Sequence, residues 1–246
     1  MSSITILIIL VATLGTAALS SIFGMVGGLI LMGVLAVLLP VSQAMVLHGI
    51  IQLTSNGYRA YLNRKDIQWT VTIPFLLGGA VAMIAVVLID YTPSPVVVFF
   101  GLGILPFTAF ALPKKWALDI TKPFVAPLAG CVVIITNLLA GVGGPILDIF
   151  FQDVPFTRHQ VVATKAVAQA IGHATKVVFY TQLLSNQTNL PNLEILLACI
   201  LISMLGTTLG KKVLDQMQDA NFFKWTQAIL LTVGAIYILR GFLLLA

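Results

Sequence analysis

The chain has 246 residues, of which 59% are hydrophobic and only 9% are charged. About a quarter of the residues of a soluble domain are charged, so this composition and a mean hydropathy of +1.05 predict a polytopic membrane protein without a separate soluble domain. The net charge of +5 does not indicate nucleic-acid binding, because the cations lie in short loops between apolar runs. Cys131 and Cys199 fall within predicted helices, which argues against a disulfide framework or a cysteine metal site.

Apolar runs and their breakers predict ten helical segments, five in each half of the chain. The segments are 4–23, 28–39, 42–63, 68–89, 94–112, 121–140, 145–154, 158–184, 191–213 and 221–244. The first is expected to be a transmembrane helix and not a cleaved signal, because no basic region precedes it. The second segment of each half covers only about 18 Å or about 15 Å, against roughly 30 Å of hydrocarbon. These two are therefore predicted to be half-helices or re-entrant hairpins.

The loop charges predict the sidedness of the segments. Counting crossings places nine of the thirteen Lys and Arg residues on one face: Arg64, Lys65, Lys114, Lys115, Lys122, Arg158, Lys211, Lys212 and Lys224. The loops on the opposite face contain none, so the positive-inside rule makes the nine-cation face cytoplasmic and puts both termini outside. Arg240, near the C-terminus, is a mild exception. We expect a multi-pass protein of the cytoplasmic membrane.

The same count predicts an inverted repeat, because each half makes an odd number of net crossings and the second half must enter from the opposite side. Pro40 and Pro155, each two residues before a hydroxyl side chain, lie 115 residues apart, and Gly57 and Gly172 share that offset. The predicted organisation is a first repeat at 1–112, a cytoplasmic connector at 113–119 and a second repeat at 120–246. The fold class is all-α, with a Gly-interrupted hairpin of short helices and three spanning helices in each repeat.

Glycine-rich breaks interrupt the apolar pattern at corresponding places in the two halves. They read Gly24-Met25-Val26-Gly27-Gly28 and Gly141-Val142-Gly143-Gly144-Pro145. Glycine costs a helix interior roughly 1 kcal/mol relative to alanine, and non-helical backbone is tolerated inside a membrane where it lines a cavity. Paired breaks indicate a transporter's substrate site, and the free N–H groups of the following helices favour an anion. The candidate binding residues here are Gly27, Gly28, Gly143, Gly144 and Pro145; close helix packing through small residues is the alternative.

The helix after each break carries a ladder of polar residues at spacings of four, four and three, so each ladder follows one helix face. The ladders are His48, Gln52, Asn56 and Arg59, then Lys165, Gln169, His173 and Lys176. A Lys near the bilayer centre costs about 2.5–3.5 kcal/mol, so Lys165 is expected to face a polar site. Gln52, Asn56 and Gln169 are candidate binding residues with it. Thr164 either joins them or bonds back to its own helix.

Five residues are candidates for coupling or gating: His48, Arg59, Asp148, His173 and Lys176. Arg59 and Lys176 lie near helix ends, where they either face the site or extend to lipid headgroups. The two histidines either carry a coupling proton or are neutral residues bonded to a neighbouring helix. Asp148 either pairs with a ladder cation, carries a proton, or lies at the cytoplasmic surface near Arg158.

At these residues the chain resembles the TauE/SafE family of bacterial and archaeal sulfite exporters. The resemblance rests on the two breaks, on the Pro-x-Ser/Thr helix starts, on Tyr61-Leu-Asn-Arg64-Lys65-Asp66-Ile67 after the first polar helix, and on Val162-Ala-Thr164-Lys165-Ala in the second. It covers nearly the whole chain. It implies transport of a small sulfur-containing or organic anion, such as sulfite, a sulfonate or sulfoacetate, across the cytoplasmic membrane.

The leading hypothesis is a secondary transporter, an exporter by its resemblance, with alternating access between the two repeats. No Gly-x4-Gly-Lys-Ser/Thr motif is present, so an ion gradient, with the proton as candidate coupling ion, or the substrate's own gradient supplies the energy. A passive anion channel and a metal-ion transporter using His48, His173 and Asp148 stay open as alternatives. No catalytic motif points to an enzyme, and no cofactor is predicted. The second break, beside Lys165, is expected to hold more of the anion's charge.

Overall fold

The structure is a computed structural model. It describes residues 1–23, 26–89, 93–111, 118–151, 154–184, 192–214 and 219–245. These residues form ten α-helices and one short 3-10 helix, and none of them is in a strand. The helices are α1 Ser3–Phe23, α2 Val26–Leu38, α3 Val41–Leu62, α4 Trp69–Ile89, α5 Pro95–Ala111, α6 Val125–Ala140, α7 Gly144–Ile149, α8 Arg158–Leu184, α9 Leu193–Leu214 and α10 Asp219–Leu243. For the described residues, the predictions of an all-α fold and of ten helical segments are confirmed.

The helix boundaries differ most from the sequence-based ones around α6 and α7. α6 begins at Val125 because Phe124 adopts a left-handed backbone conformation (φ 64°) that a helix cannot continue. α7 ends at Ile149, where bonds from the Phe150 and Phe151 N–H groups to carbonyls three residues earlier tighten the chain into a turn. Gly24 and Met25 of the first break, Lys114 and Lys115, and most of the predicted connector lie outside the described residues.

Among the described helices, three are long and apolar enough to cross a membrane by length and composition: α1, α4 and the Leu193–Val213 part of α9. The outer face of α4 exposes large apolar side chains along its whole length: Ile73, Leu77, Val81, Ile84 and Leu88. α9 likewise exposes leucines at four-residue intervals. Continuous apolar surfaces of this kind indicate contact with lipid.

The two polar helices, α3 and α8, pack against each other in antiparallel directions. Early in α3, Gly49 lies so close to α8 that an added Cβ would be 3.4 Å from the His173 carbonyl oxygen. Just past the end of α3, the Gln68 N–H donates to the Thr164 hydroxyl at 3.0 Å, near the start of α8. Because the start of one helix meets the end of the other, the two polar ladders face each other.

Two parallel helix pairs flank α3 and α8, and glycines bring the backbones together in both. Between α4 and α6, a side chain at Gly130 would collide with the Phe75 carbonyl. Between α1 and α9, a side chain at Gly210 would collide with the Ala18 carbonyl. α5 and α10 pack in antiparallel directions, with Gly103 against Gly234. Small residues thus allow the close packing that membrane helices use.

The short helices α2 and α7 lie beside the central pair; a buried tyrosine bonds to α2, and a buried asparagine ties α6, the helix before α7, to α8. Tyr237 of α10 donates to the Leu29 carbonyl of α2 at 3.1 Å. On the other side, Asn137 near the end of α6 donates to the Gly172 carbonyl of α8 at 2.5 Å. Gly141 then leaves α6 with φ 81°, a conformation that favours glycine, and turns the chain towards α7. Both short helices are thereby positioned against the polar ladders.

Candidate functional site

A small polar cavity lies where the two glycine breaks meet the two ladders. Its lining consists of Gly28, Gln52, Asn56, Val142, Gly144, Gln169 and His173. Its volume is about 10 Å³, roughly the minimum that holds one water. Five of the ten predicted binding residues and one of the predicted coupling residues therefore share one cavity, contributed by α2, α3, α7 and α8. Val142 is the one lining residue that is not among the predicted site residues.

The carboxamides of Gln52 and Asn56 have fixed orientations in this cavity. Asn56 Nδ2 donates to the Gln52 carbonyl at 2.9 Å and to Gln52 Oε1 at 3.2 Å. A carboxamide nitrogen only donates and its oxygen only accepts, so neither group can be turned over without losing these bonds. Gln52 Nε2 and Asn56 Oδ1 are buried and have no hydrogen-bond partner among the described residues. Two residues of the cavity lining therefore carry one unpaired donor group and one unpaired acceptor.

A chain of hydrogen bonds joins the two glycine breaks on one side of the cavity. His48 Nε2 lies 2.9 Å from the Gly28 carbonyl oxygen, and an oxygen that only accepts requires the proton on Nε2. Lys176 Nζ lies 2.6 Å from His48 Nδ1 and donates to the Gly141 carbonyl at 2.8 Å. Nδ1 accepts from the lysine, so His48 is neutral in this arrangement. We call these four groups the His48–Lys176 bridge.

Lys176 is fully buried, and no acidic side chain among the described residues lies within ion-pair distance of it. It does not extend towards lipid headgroups, which was the alternative for a lysine near a helix end. Its neighbours are His48 and, one turn back on α8, His173, whose ring lies 5.3 Å from that of His48 in an edge-on arrangement. His173 lines the cavity, so the buried lysine lies one helical turn from a residue of the cavity lining.

Lys165 forms an ion pair with Asp148 of α7. This is the first of the three alternatives for Asp148, pairing with a ladder cation. The side chains of the two residues are 19% and 28% exposed, and neither lines the cavity. The Lys165 charge, which was expected to face the substrate directly, is matched here by a carboxylate.

The remaining predicted site residues pack around the cavity without lining it. Gly27 lies against α1, where a side chain would collide with the Thr16 carbonyl, and Gly143 lies against the Val133 carbonyl of α6. Pro145 occupies the first turn of α7. Thr164 accepts from Gln68 and does not bond back to its own helix. Arg59 is buried, and its Nε and Nη2 atoms have no hydrogen-bond partner among the described residues.

The metal-ion alternative has no cluster to support it within the described ranges. No group of three or more His, Cys, Asp or Glu residues there could hold an ion. His48 has both ring nitrogens engaged in the bridge, and Asp148 is paired with Lys165. The three residues named for that alternative are therefore not gathered at one point.

Sequence reasoning missed the residues that tie α6, the helix before α7, to α8. Asn137 and Tyr180 fasten the end of α6 to α8, the latter by donating to the Leu138 carbonyl at 2.6 Å. Asn137 is the one carboxamide in a mostly apolar helix, four positions before Gly141, and that signal could have identified it. Nothing in the local pattern marks the Gly141 carbonyl as the acceptor for Lys176.

An all-helical bundle with apolar outer faces and a polar cavity between glycine-interrupted helices is the architecture of a polytopic membrane protein. Residues 8–238, nearly the whole chain, match the family described as Sulfite exporter TauE/SafE, and the protein belongs to that family. No curated protein and no solved structure matches the chain. The family is a transporter family, which indicates a transport function.

Proposed function

We propose that the protein is a secondary transporter that exports a small sulfur-containing or organic oxyanion, binding it in the cavity between α3 and α8. The observation that carries this proposal is the buried Lys176, which has no carboxylate partner among the described residues and lies one helical turn from a cavity-lining histidine. An ion buried without a counter-charge costs several kcal/mol. A bound anion supplies that counter-charge.

The groups around the cavity suit an oxyanion. Gln52 offers a free amide donor, Gln169 offers a second carboxamide, and the Gly28 and Gly144 backbones allow close approach. Sulfite, a sulfonate and sulfoacetate present three or more oxygens that accept such bonds. Lys176 contributes more of the site's positive charge than Lys165, whose charge is compensated by Asp148.

The packing of the helices supports the division into inverted repeats at 1–112 and 120–246. If α1–α5 correspond in order to α6–α10, then the parallel pair α1 and α9 has its equivalent in α6 and α4, which are also parallel and also meet through glycine. The pairs α3–α8 and α5–α10 join equivalent helices, and both are antiparallel. A two-fold axis in the membrane plane relates helices in this way.

Two polar contacts, one on each side of the cavity, are suited to close it alternately. Along α8 the order is Lys165, then the cavity residues Gln169 and His173, then Lys176. The Lys165–Asp148 pair would close the side with the start of α8, and the His48–Lys176 bridge would close the other. With the nine-cation face cytoplasmic, both termini and the bridge lie towards the outside.

Substrate binding would require these contacts to loosen, because a cavity of about 10 Å³ is too small for an anion such as sulfite. Movement of one repeat against the other around a fixed central site would enlarge it from one side at a time. The proton is the candidate coupling ion, through His48, His173 or Asp148. This is alternating access, the mechanism that we propose.

The test uses purified protein reconstituted in lipid vesicles and assayed for sulfite and sulfonate flux. We expect flux that saturates with substrate and is stimulated by substrate on the opposite side of the membrane. Lys176→Met should abolish it, while Thr54→Val, a change on α3 outside the cavity lining, should not. Flux that neither saturates nor responds to substrate on the opposite side would identify a passive channel instead, and flux unchanged in Lys176→Met would reject the site.

A further inference from the structure

The paired carboxamides of Gln52 and Asn56 carry an inference about the substrate that rests on the proposed function. Both Nδ2 hydrogens of Asn56 point to Gln52, one to its carbonyl and one to its Oε1. The oxygen of Asn56 and the nitrogen of Gln52 must therefore point away from that contact. Both atoms are buried and lack a partner among the described residues, and both residues line the cavity.

A fully ionised oxyanion can form a hydrogen bond with only one of the two unpaired atoms, the donor Gln52 Nε2. Its oxygens accept hydrogen bonds, so one of them can accept from Gln52 Nε2. No atom of such an anion can donate to Asn56 Oδ1, which would then face another electron-rich oxygen. A buried acceptor left unpaired costs about 1–3 kcal/mol, and the repulsion between two oxygens adds to that cost.

We propose that the site selects an anion that carries a hydrogen-bond donor next to an acceptor oxygen, so that a singly protonated oxyanion such as hydrogensulfite is the bound form of an inorganic substrate. One oxygen accepts from Gln52 Nε2, and the adjacent O–H donates to Asn56 Oδ1. The two carboxamides and the substrate then form a closed pair of hydrogen bonds. Asn56 is the specificity-determining residue for the protonated form.

The other polar groups near the cavity do not replace Asn56 in this role. His173, with Nδ1 unpartnered, can donate or accept depending on its tautomer. His48 and Lys176 are engaged with each other and with the Gly28 and Gly141 carbonyls. Arg59 and Lys165 offer only donors. Gln169 also lines the cavity and can turn either its nitrogen or its oxygen towards a ligand. Asn56 Oδ1 differs because the two bonds from Nδ2 hold it in an accepting orientation.

Sulfamate and methanesulfonate test the proposal at a single pH. Both are monoanions with three sulfonyl oxygens, and they differ in having an NH2 or a CH3 group of nearly equal size on sulfur. We expect purified full-length protein to bind sulfamate about 10- to 100-fold more tightly than methanesulfonate, the factor that one satisfied buried acceptor predicts. Asn56→Leu should bring this ratio to about one, whereas Thr54→Val on the same helix should keep it.

The outcomes separate this inference from the proposed function. Equal binding of the two anions by the wild-type protein overturns the selection of a donor and leaves the anion transporter standing, and this measurement needs no variant. A preference that survives in a folded Asn56→Leu protein also overturns the role of Asn56. If neither anion nor sulfite binds, the proposed site itself is wrong. A preference in the wild type that Asn56→Leu removes supports the proposal.

Discussion

Lys165 and Lys176 lie on the same face of one helix, three turns apart, yet they differ in burial and in their bonding partners. Lys165 has a carboxylate partner and is partly exposed, whereas Lys176 is fully buried with only neutral partners, an imidazole nitrogen and a carbonyl oxygen. A paired cation is electrostatically satisfied without a ligand. The unpaired one gains most from an anion nearby, so position in the helix alone does not tell which lysine serves the substrate.

Lys176→Met is expected to have the largest effect of the changes that test this difference between the two lysines. Removing one member of a buried charged contact costs about 2–5 kcal/mol in binding, so anion affinity and flux should fall about 30-fold or more. The folded state should keep its stability to within about 2 kcal/mol, because the desolvation cost that methionine removes offsets the loss of the bonds to His48 Nδ1 and the Gly141 carbonyl. Sulfite binding and thermal unfolding of the same preparation measure both effects. A binding loss accompanied by unfolding would instead make Lys176 structural.

Lys165→Met is the matched change, and it should weaken anion binding much less. The difference between the two variants measures how unequally the lysines contribute. Equal losses in the two would contradict the distinction drawn from their partners.

The next largest effect is expected at His48, which is hydrogen-bonded both to Lys176 and to the Gly28 carbonyl of the first glycine break. A glutamine can donate through Nε2 to the Gly28 carbonyl and accept from Lys176 through Oε1, as the neutral imidazole does. His48→Gln should therefore keep flux within about threefold of wild type, whereas His48→Leu, which leaves the lysine and the carbonyl unpaired, should lose about tenfold or more. If a protonated His48 is itself the coupling group, the glutamine variant will lose proton-dependent flux as completely as the leucine variant does.

The periodic polar residues predicted which helices face the cavity, and five of the ten predicted binding residues line it. The pairing across the helices could not be predicted in the same way. Lys176 meets His48 because α3 and α8 are antiparallel in one particular register, and the two residues are 128 positions apart. The Gly141 carbonyl became an acceptor only because a left-handed glycine turned it towards α8. Local pattern specifies a helix face, while the register between helices depends on packing of the whole bundle.

The first glycine break offers a finer comparison, between adjacent glycines with different surroundings. A methyl group on Gly27 would collide with the Thr16 carbonyl of α1, but one on Gly28 would lie 3.4 Å from the Gln52 carboxamide at the cavity. Gly27→Ala should lower the free energy of unfolding by about 1–3 kcal/mol, as overpacking does. Gly28→Ala should fold, and should weaken anion binding several-fold by filling the site. Gly57→Ala, where nothing lies within 4 Å, is the control for helix propensity and should be neutral or slightly stabilising.

The smallest effect is expected from the Lys165–Asp148 pair, and it is best measured as a double-mutant cycle of Lys165→Met and Asp148→Asn. Because both side chains are partly exposed, solvent screens their attraction, and we expect a coupling energy of about 1 kcal/mol in stability. If the pair closes one side of the cavity, each single variant should favour the conformation open on that side. A cysteine introduced at the start of α8 should then react faster with a water-soluble thiol reagent, while substrate affinity changes little. A coupling energy of several kcal/mol, or a loss of affinity as large as that of Lys176→Met, would show that this pair belongs to the binding site. Lys165 and Lys176 would then contribute to anion binding in the same way.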